Sequence, residues 1–207
     1  RLINPKEKKI IAYHEAGHAV VINALPEGDP VQKVSIISRG MMGGFTRSLP
    51  TEDRSLESRK KLMAEMVGLL GGRAAEEIMF DDITSGASSD IERVTKLART
   101  MVTRLGMSDK LGPMVYGQKE ELVFLGREIS EQRDYSEAVA QEIDREVQRA
   151  VTEAYQSAKK ILETHKDKLI AVAEKLLEVE TITNEEFEAI FPPPVDKNQG
   201  IPVIARA

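Results

Sequence analysis

The chain has 207 residues, 41% of them hydrophobic, enough for one good-sized core or two modest ones. Lys and Arg total 29 against 34 Asp and Glu, a formal net charge of -5 with no dense basic block, which argues against a nucleic-acid partner. Cysteine is absent, excluding disulfides, thiolate catalysis and Cys-ligated zinc, and no apolar run is long enough to span a membrane.

Residues 1–9 do not lead into a signal-peptide pattern, so any membrane anchor is expected outside this sequence. Asn4, Pro5 and Glu7 read as an N-cap, a first-turn proline and a reciprocal capping residue, predicting a helix from Pro5. Ile10, Ile11, His14, His18, Val21 and Ile22 recur at spacings of three and four, which sets both histidines beside an apolar stripe; Pro26 and Gly28 end the helix. Between 31 and 49 the helical period is lost. Val34, Ile36 and Ile37 predict one strand, and Phe45 with Thr46 another across a turn at 40–44.

Pro50 closes that segment, and Leu62, Met63, Met66, Val67 and Leu70 predict a helix over 55–70. Gly71 and Gly72 interrupt it before a short helix over 73–80. A turn-rich loop over 81–89 leads to a helix carrying Ile91, Val94, Leu97, Ala98, Met101, Val102 and Leu105, stopped by Gly106. Residues 107–125 read as a loop with a short strand at 114–116. A long helix is predicted over 136–164, another over 167–177, and a third after the capping box of Thr183 and Glu186. Pro192, Pro193 and Pro194 then break regular structure. The expected division is a core over 1–132, a helical subdomain over 133–190 packing on it and supporting an oligomer, and a flexible tail over 191–207.

His14, Glu15, Ala16, Gly17 and His18 form an HExxH motif. On a helix, positions i and i+4 lie one above the other, so two imidazoles can meet one metal ion while the intervening Glu15 reaches a water there. Two ligands and one general base are the parts that amide hydrolysis requires. Catalytic zinc usually takes three protein ligands. His165, the remaining histidine, ends a helix in charged surroundings, so a carboxylate is the expected third donor. Asp90 is the best placed, because 90, 94, 97 and 101 share one helix face with Val94, Leu97 and Met101; a first-turn Asp that merely caps its helix fits the same spacing.

Beyond this motif, the chain resembles the proteolytic domain of the FtsH family of membrane-anchored AAA+ zinc proteases. The resemblance rests on HEAGHAV at 14–20, GGFT at 43–46, LLGGRAAEE at 69–77, TSGASSDIERVTKLAR at 84–99, LGMSDKLGP at 105–113 and FLGREIS at 124–130. It implies a mainly α-helical (α+β), zincin-like peptidase fold with a small β-sheet or hairpin and a C-terminal helical extension. It further implies one zinc ion per subunit on His14, His18 and Asp90, with Glu15 as the base. Ser89 stands where relatives often have Asn; both can cap a helix start.

Glu76 is then a candidate partner for a liganding imidazole, with Glu77 as its possible replacement and a surface helix Glu as the plainer alternative. The family also implies an edge strand on one rim of the cleft, against which extended substrate adds main-chain hydrogen bonds. Gly44, Phe45 and Thr46 are expected near that rim with Met41 and Met42 as an adaptable lip; an ordinary packed hairpin is the alternative. No Walker A loop occurs in the sequence, so ATP and Mg2+ would enter only through an ATPase module outside it. The same resemblance implies a homo-hexamer acting on unfolded, damaged or membrane proteins at the cytoplasmic face of the bacterial inner membrane, this segment itself being soluble. A structural scaffold with an inactive zinc site is the competing class.

Overall fold

The helix that carries the HExxH sequence starts as its cap residues dictate. In the computed structural model, which describes residues 4–38, 41–50, 56–120 and 130–197, α1 spans Pro5–Ala24 and the Asn4 side chain accepts a hydrogen bond from the Lys6 amide at 3.0 Å. Its middle is buried on nearly every side: Ala12, Ala16, Ala19, Val20 and Val21 are all fully enclosed. Such a helix must be covered by several elements at once, and small residues let those elements come close.

One cover is a sheet of order β2-β1-β5, with β1 over Val31–Ser38, β2 over Met41–Ser48 and β5 over Thr181–Thr183, both pairings antiparallel. Register shifts at two points of the β1 and β2 pairing mark irregularities in this hairpin. Among the described residues β2 lies at the edge of this sheet. The sequence gives no warning of β5, because three residues are too few to show a period of two.

The second cover is helical. Here α2 spans Arg59–Leu69 and starts where the Ser58 hydroxyl accepts from the Lys61 amide at 3.1 Å, later than the expected 55. Next come α3 over Gly71–Phe80 and α4 over Ser88–Thr103. Gly71 and Gly72 thus open a helix rather than merely separating two. A β-carbon on Gly71 would lie 2.7 Å from the Gly17 carbonyl oxygen, and one on Gly17 would lie 2.4 Å from the Gly71 carbonyl oxygen, so α1 and α3 meet backbone to backbone.

The segment at 114–116 forms no strand. Tyr116 is instead pinned in a loop, its amide bonded to the Thr103 carbonyl at 2.9 Å and its hydroxyl to the Leu111 carbonyl at 2.7 Å. The local pairing falls just beyond, between β3 at Gln118–Glu120 and β4 at Ser130–Gln132.

From Ser136, whose hydroxyl accepts from the Val139 amide, α5 runs over Glu137–Thr164 across α2, α3 and α4. α6 over Lys166–Val179 returns along α1, and α7 over Asn184–Ile190 begins with the expected reciprocal capping box of Thr183 and Glu186. Leu176, Ile182 and Phe187 are fully buried with Val20 and Ile36. Beyond α7, Phe191 is buried, its carbonyl accepts from Asn23 at 2.9 Å, and the Lys197 ammonium donates to the Ile22 carbonyl at 2.8 Å. No helix among the described residues is long and apolar enough to cross a membrane.

Candidate metal centre

One helical turn separates His14 from His18, and both imidazoles leave α1 on the same side, their ring centroids 4.8 Å apart. Their Nε2 atoms are 3.1 Å apart. From the first turn of α4, Asp90 brings Oδ2 to 3.4 Å from Nε2 of His14 and 3.2 Å from Nε2 of His18. A tetrahedral zinc with ligand arms of about 2.0–2.1 Å separates its ligand atoms by roughly 3.3–3.4 Å. The three spacings approach the edges of that tetrahedron, and the donor set of two imidazoles and one carboxylate suits the ion.

The opposite ring nitrogens are both occupied. His18 Nδ1 is 2.8 Å from the Gly68 carbonyl oxygen, which can only accept, so this nitrogen carries the proton and Nε2 presents its lone pair. His14 Nδ1 donates to Glu76 Oε1 at 2.7 Å, which leaves Nε2 as the nitrogen that offers a lone pair once the ring is neutral. The other oxygen of Glu76 accepts from the Thr84 amide at 2.6 Å. One carboxylate thereby ties the His14 ring to the loop that leads into α4 and Asp90. Glu77 points elsewhere, accepting from the Tyr155 hydroxyl at 2.6 Å across to α5.

The charge balance also calls for a cation. Glu15, Glu76 and Asp90 are gathered around the two imidazoles, and Glu15 and Glu76 are buried. Burial disfavours the His14 imidazolium, but the bonds to Asp90 and Glu76 and the nearby Glu15 charge outweigh it and push the ring up to about 9. Asp90 is half-buried, and although that desolvation raises its carboxyl, the two imidazoles hold it well below the usual carboxylate range. For Glu76, burial is likewise overcome by His14 and Thr84, and its titration is lowered. In the absence of a metal, the surrounding carboxylates favour a proton on His14.

Glu15 differs from the other two. Burial pushes its carboxyl up, and the opposing His18, His14 and Thr46 interactions do not cancel that effect. Thr46 on β2 places its hydroxyl 2.9 Å from Glu15 Oε2 and 3.0 Å from the Glu15 carbonyl oxygen. Gly44 crosses above the same side chain so closely that a β-carbon there would lie 2.3 Å from Glu15 Cγ.

A cleft of about 590 Å³ opens over these groups, floored by α1 and flanked by β2, α2 and the start of α4. It is lined by His14, Glu15, His18 and Asp90 together with Gly44, Phe45 and Thr46. The β2 backbone includes Met41 and Met42, whose side chains lie outside the described residues. His165 is remote from this cleft, at the junction of α5 and α6, with its ring 4.8 Å from that of Phe191.

Sequence reasoning missed three contributors. Gly72 has no side chain where a β-carbon would lie 2.4 Å from His14 Nε2, Gly68 supplies the carbonyl that orients His18, and Thr84 holds Glu76. The paired glycines were visible, but a GG dipeptide reads equally as a helix break.

Two histidines and an aspartate around one point, with a carboxylate beside them in an open cleft, define a metallopeptidase class of site. The model of peptidase family M41 matches residues 1–190, and the chain belongs to that family. It is 55% identical over 194 residues to "ATP-dependent zinc metalloprotease FtsH 1" of Thermomicrobium roseum, covering 94% of this chain and 30% of the relative. Identity is 56% over 191 residues to the FtsH of Kosmotoga olearia, 92% of this chain and 30% of that protein. With the FtsH of Thermotoga maritima it is 53% over 192 residues, 92% of this chain and 32% of that protein. The chain thus spans about a third of the length of these relatives.

Proposed function

We propose that this domain is a zinc-dependent endopeptidase in which His14, His18 and Asp90 hold the ion and Glu15 is the general base. The observation that carries the reading is the convergence of three ligand atoms at 3.1, 3.2 and 3.4 Å beside a buried carboxylate. Bound there, zinc would polarise a scissile carbonyl and make a water more acidic. Glu15 takes the proton of the attacking water on its carboxylate and delivers it to the departing amine. Glu76 and the Gly68 carbonyl keep the two imidazoles in the tautomer that faces the cleft.

Substrate is an extended segment of an unfolded, damaged or membrane-extracted protein. It adds to the free edge of β2 beside Gly44, Phe45 and Thr46, with Met41 and Met42 further along the strand. The relatives' name, ATP-dependent zinc metalloprotease, supports a longer protein in which an AAA+ module binds ATP and Mg2+ and feeds the substrate. In that protein the working unit is a homo-hexamer at the cytoplasmic face of the bacterial inner membrane. Light scattering of this domain over a range of concentrations tests self-assembly; a strictly monomeric mass would remove it for the domain alone.

The deciding experiment is cleavage of unfolded casein without ATP, followed with zinc, with chelator, and in Glu15→Gln. Turnover that requires zinc and disappears in the variant is expected. A protein that retains zinc yet never cleaves would be an inactive zinc scaffold.

A further inference from the structure

Resting on that reading, we infer that Thr46 is a positioning residue for Glu15: its hydroxyl aims the base, so the strand that receives substrate also sets the group that activates water. The Thr46 hydroxyl has one proton and two acceptors within reach, Glu15 Oε2 at 2.9 Å and the Glu15 carbonyl at 3.0 Å. An ionised carboxylate is the stronger acceptor, so the proton goes to Oε2 while Glu15 is charged. The main-chain carbonyl of the same residue is the second acceptor within reach, so both contacts of the hydroxyl fix residue 15 against β2.

Gly44, two residues earlier on the same face of β2, closes the other side of Glu15. Its missing side chain leaves the space that Cγ and Oε1 fill, at 2.3 and 2.5 Å from where a β-carbon would stand. Glu15 is thereby held between a glycine that admits it and a threonine that orients it. Both contacts come from the edge strand, so a shift of β2 is transmitted directly to the base. Among the described residues the other polar groups beside Glu15 are engaged elsewhere: His14 and His18 present their Nε2 atoms to Asp90, and Glu76 is committed to His14 and Thr84.

The test compares Thr46→Val, which keeps the shape and loses the hydroxyl, with Thr46→Ser, which keeps the hydroxyl. Zinc per chain, KM and kcat are measured separately on a fluorogenic peptide. Thr46→Val should retain zinc and hold KM within about 2-fold while kcat falls roughly 10- to 100-fold, and Thr46→Ser should recover most of kcat. A loss confined to KM, or a Ser variant as slow as the Val variant, would overturn the assignment.

A second measurement does not depend on turnover. Thermal melting of the metal-free protein is compared for Thr46→Val, Glu15→Ala and the double variant. Because the Glu15 main-chain carbonyl remains as an acceptor in Glu15→Ala, a hydroxyl that acts through the Glu15 side chain makes the double variant lose less than the sum of the two single losses; strictly additive losses would overturn the contact. A wild-type protein that binds zinc but cannot cleave would refute the peptidase reading while leaving this cycle decisive for the contact.

Discussion

Asp90 and Glu15 are both carboxylates beside the same imidazoles, and the structure places them differently. Asp90 Oδ2 completes the three-atom constellation, whereas Glu15 is turned towards Thr46 and the cleft. Asp90→Asn should therefore lower zinc content per chain and proteolysis together, because the amide keeps the shape but loses the anionic oxygen. Glu15→Gln should keep near-stoichiometric zinc and lose hydrolysis by at least 100-fold, in the range of a lost general base. Metal analysis beside initial rates separates the two, and full zinc with near-native cleavage in Asp90→Asn would sink the ligand assignment. Glu76→Gln belongs with Asp90 but is milder: the His14 ring keeps a neutral acceptor, and zinc affinity should weaken roughly 10- to 100-fold by competition with a chelator.

At the scale of elements, legibility in the sequence follows how local the causes are. Asn4 and the Thr183–Glu186 box were readable because a cap is decided within three or four residues. Both histidines and the base were readable for the same reason, since one helical turn sets their relation. By contrast, Glu76 and Glu77 stand about 100° apart on α3, and nothing local says which faces α1; the packing of α3 against α1 decides, sending Glu76 to His14 and Glu77 to Tyr155. β5 is likewise created by its partner, pairing through Lys33, Val34 and Ser35 of β1. The packing that settles these matters passes through the Gly17 and Gly71 contact. Gly71→Ala would press a methyl onto a main-chain carbonyl that cannot step aside, and an overpacking cost of about 1–3 kcal/mol is expected in urea unfolding. Zinc affinity should fall with it, since the same crossing carries Glu76 and Gly72 to His14. Unchanged stability would mean that the crossing relaxes freely.

For the whole molecule, the cage of carboxylates makes stability depend on pH in opposite directions with and without metal. In metal-free protein, His14 titrates at about 9 against an ordinary value of 6.5. A raised folded-state value means the folded chain holds the proton more tightly, so this stabilisation is complete below about 6.5 and is lost as pH rises to about 9. Its upper size is about 3 kcal/mol, and the Asp90 shift is the same interaction seen from the other partner and is not added to it. Asp90 itself, held low, contributes above its ordinary 3.8 and is lost only in strong acid. Lys197 works the other way in the alkaline range: burial lowers it from 10.5 to about 8, so the folded chain releases its proton first and stability gains as pH rises beyond 8. The window from 6.5 to 8 is therefore the one that isolates His14. Across it, the melting temperature in chelator should fall, and the fall should vanish in His14→Gln. Zinc must displace the His14 proton, so its apparent affinity should climb by up to about tenfold per pH unit over the same window, and the increment in melting temperature that zinc confers should widen. A chelated protein whose melting temperature is flat from 6.5 to 8, with a zinc increment equally flat, would show that the carboxylates around His14 do not hold a proton in the metal's place.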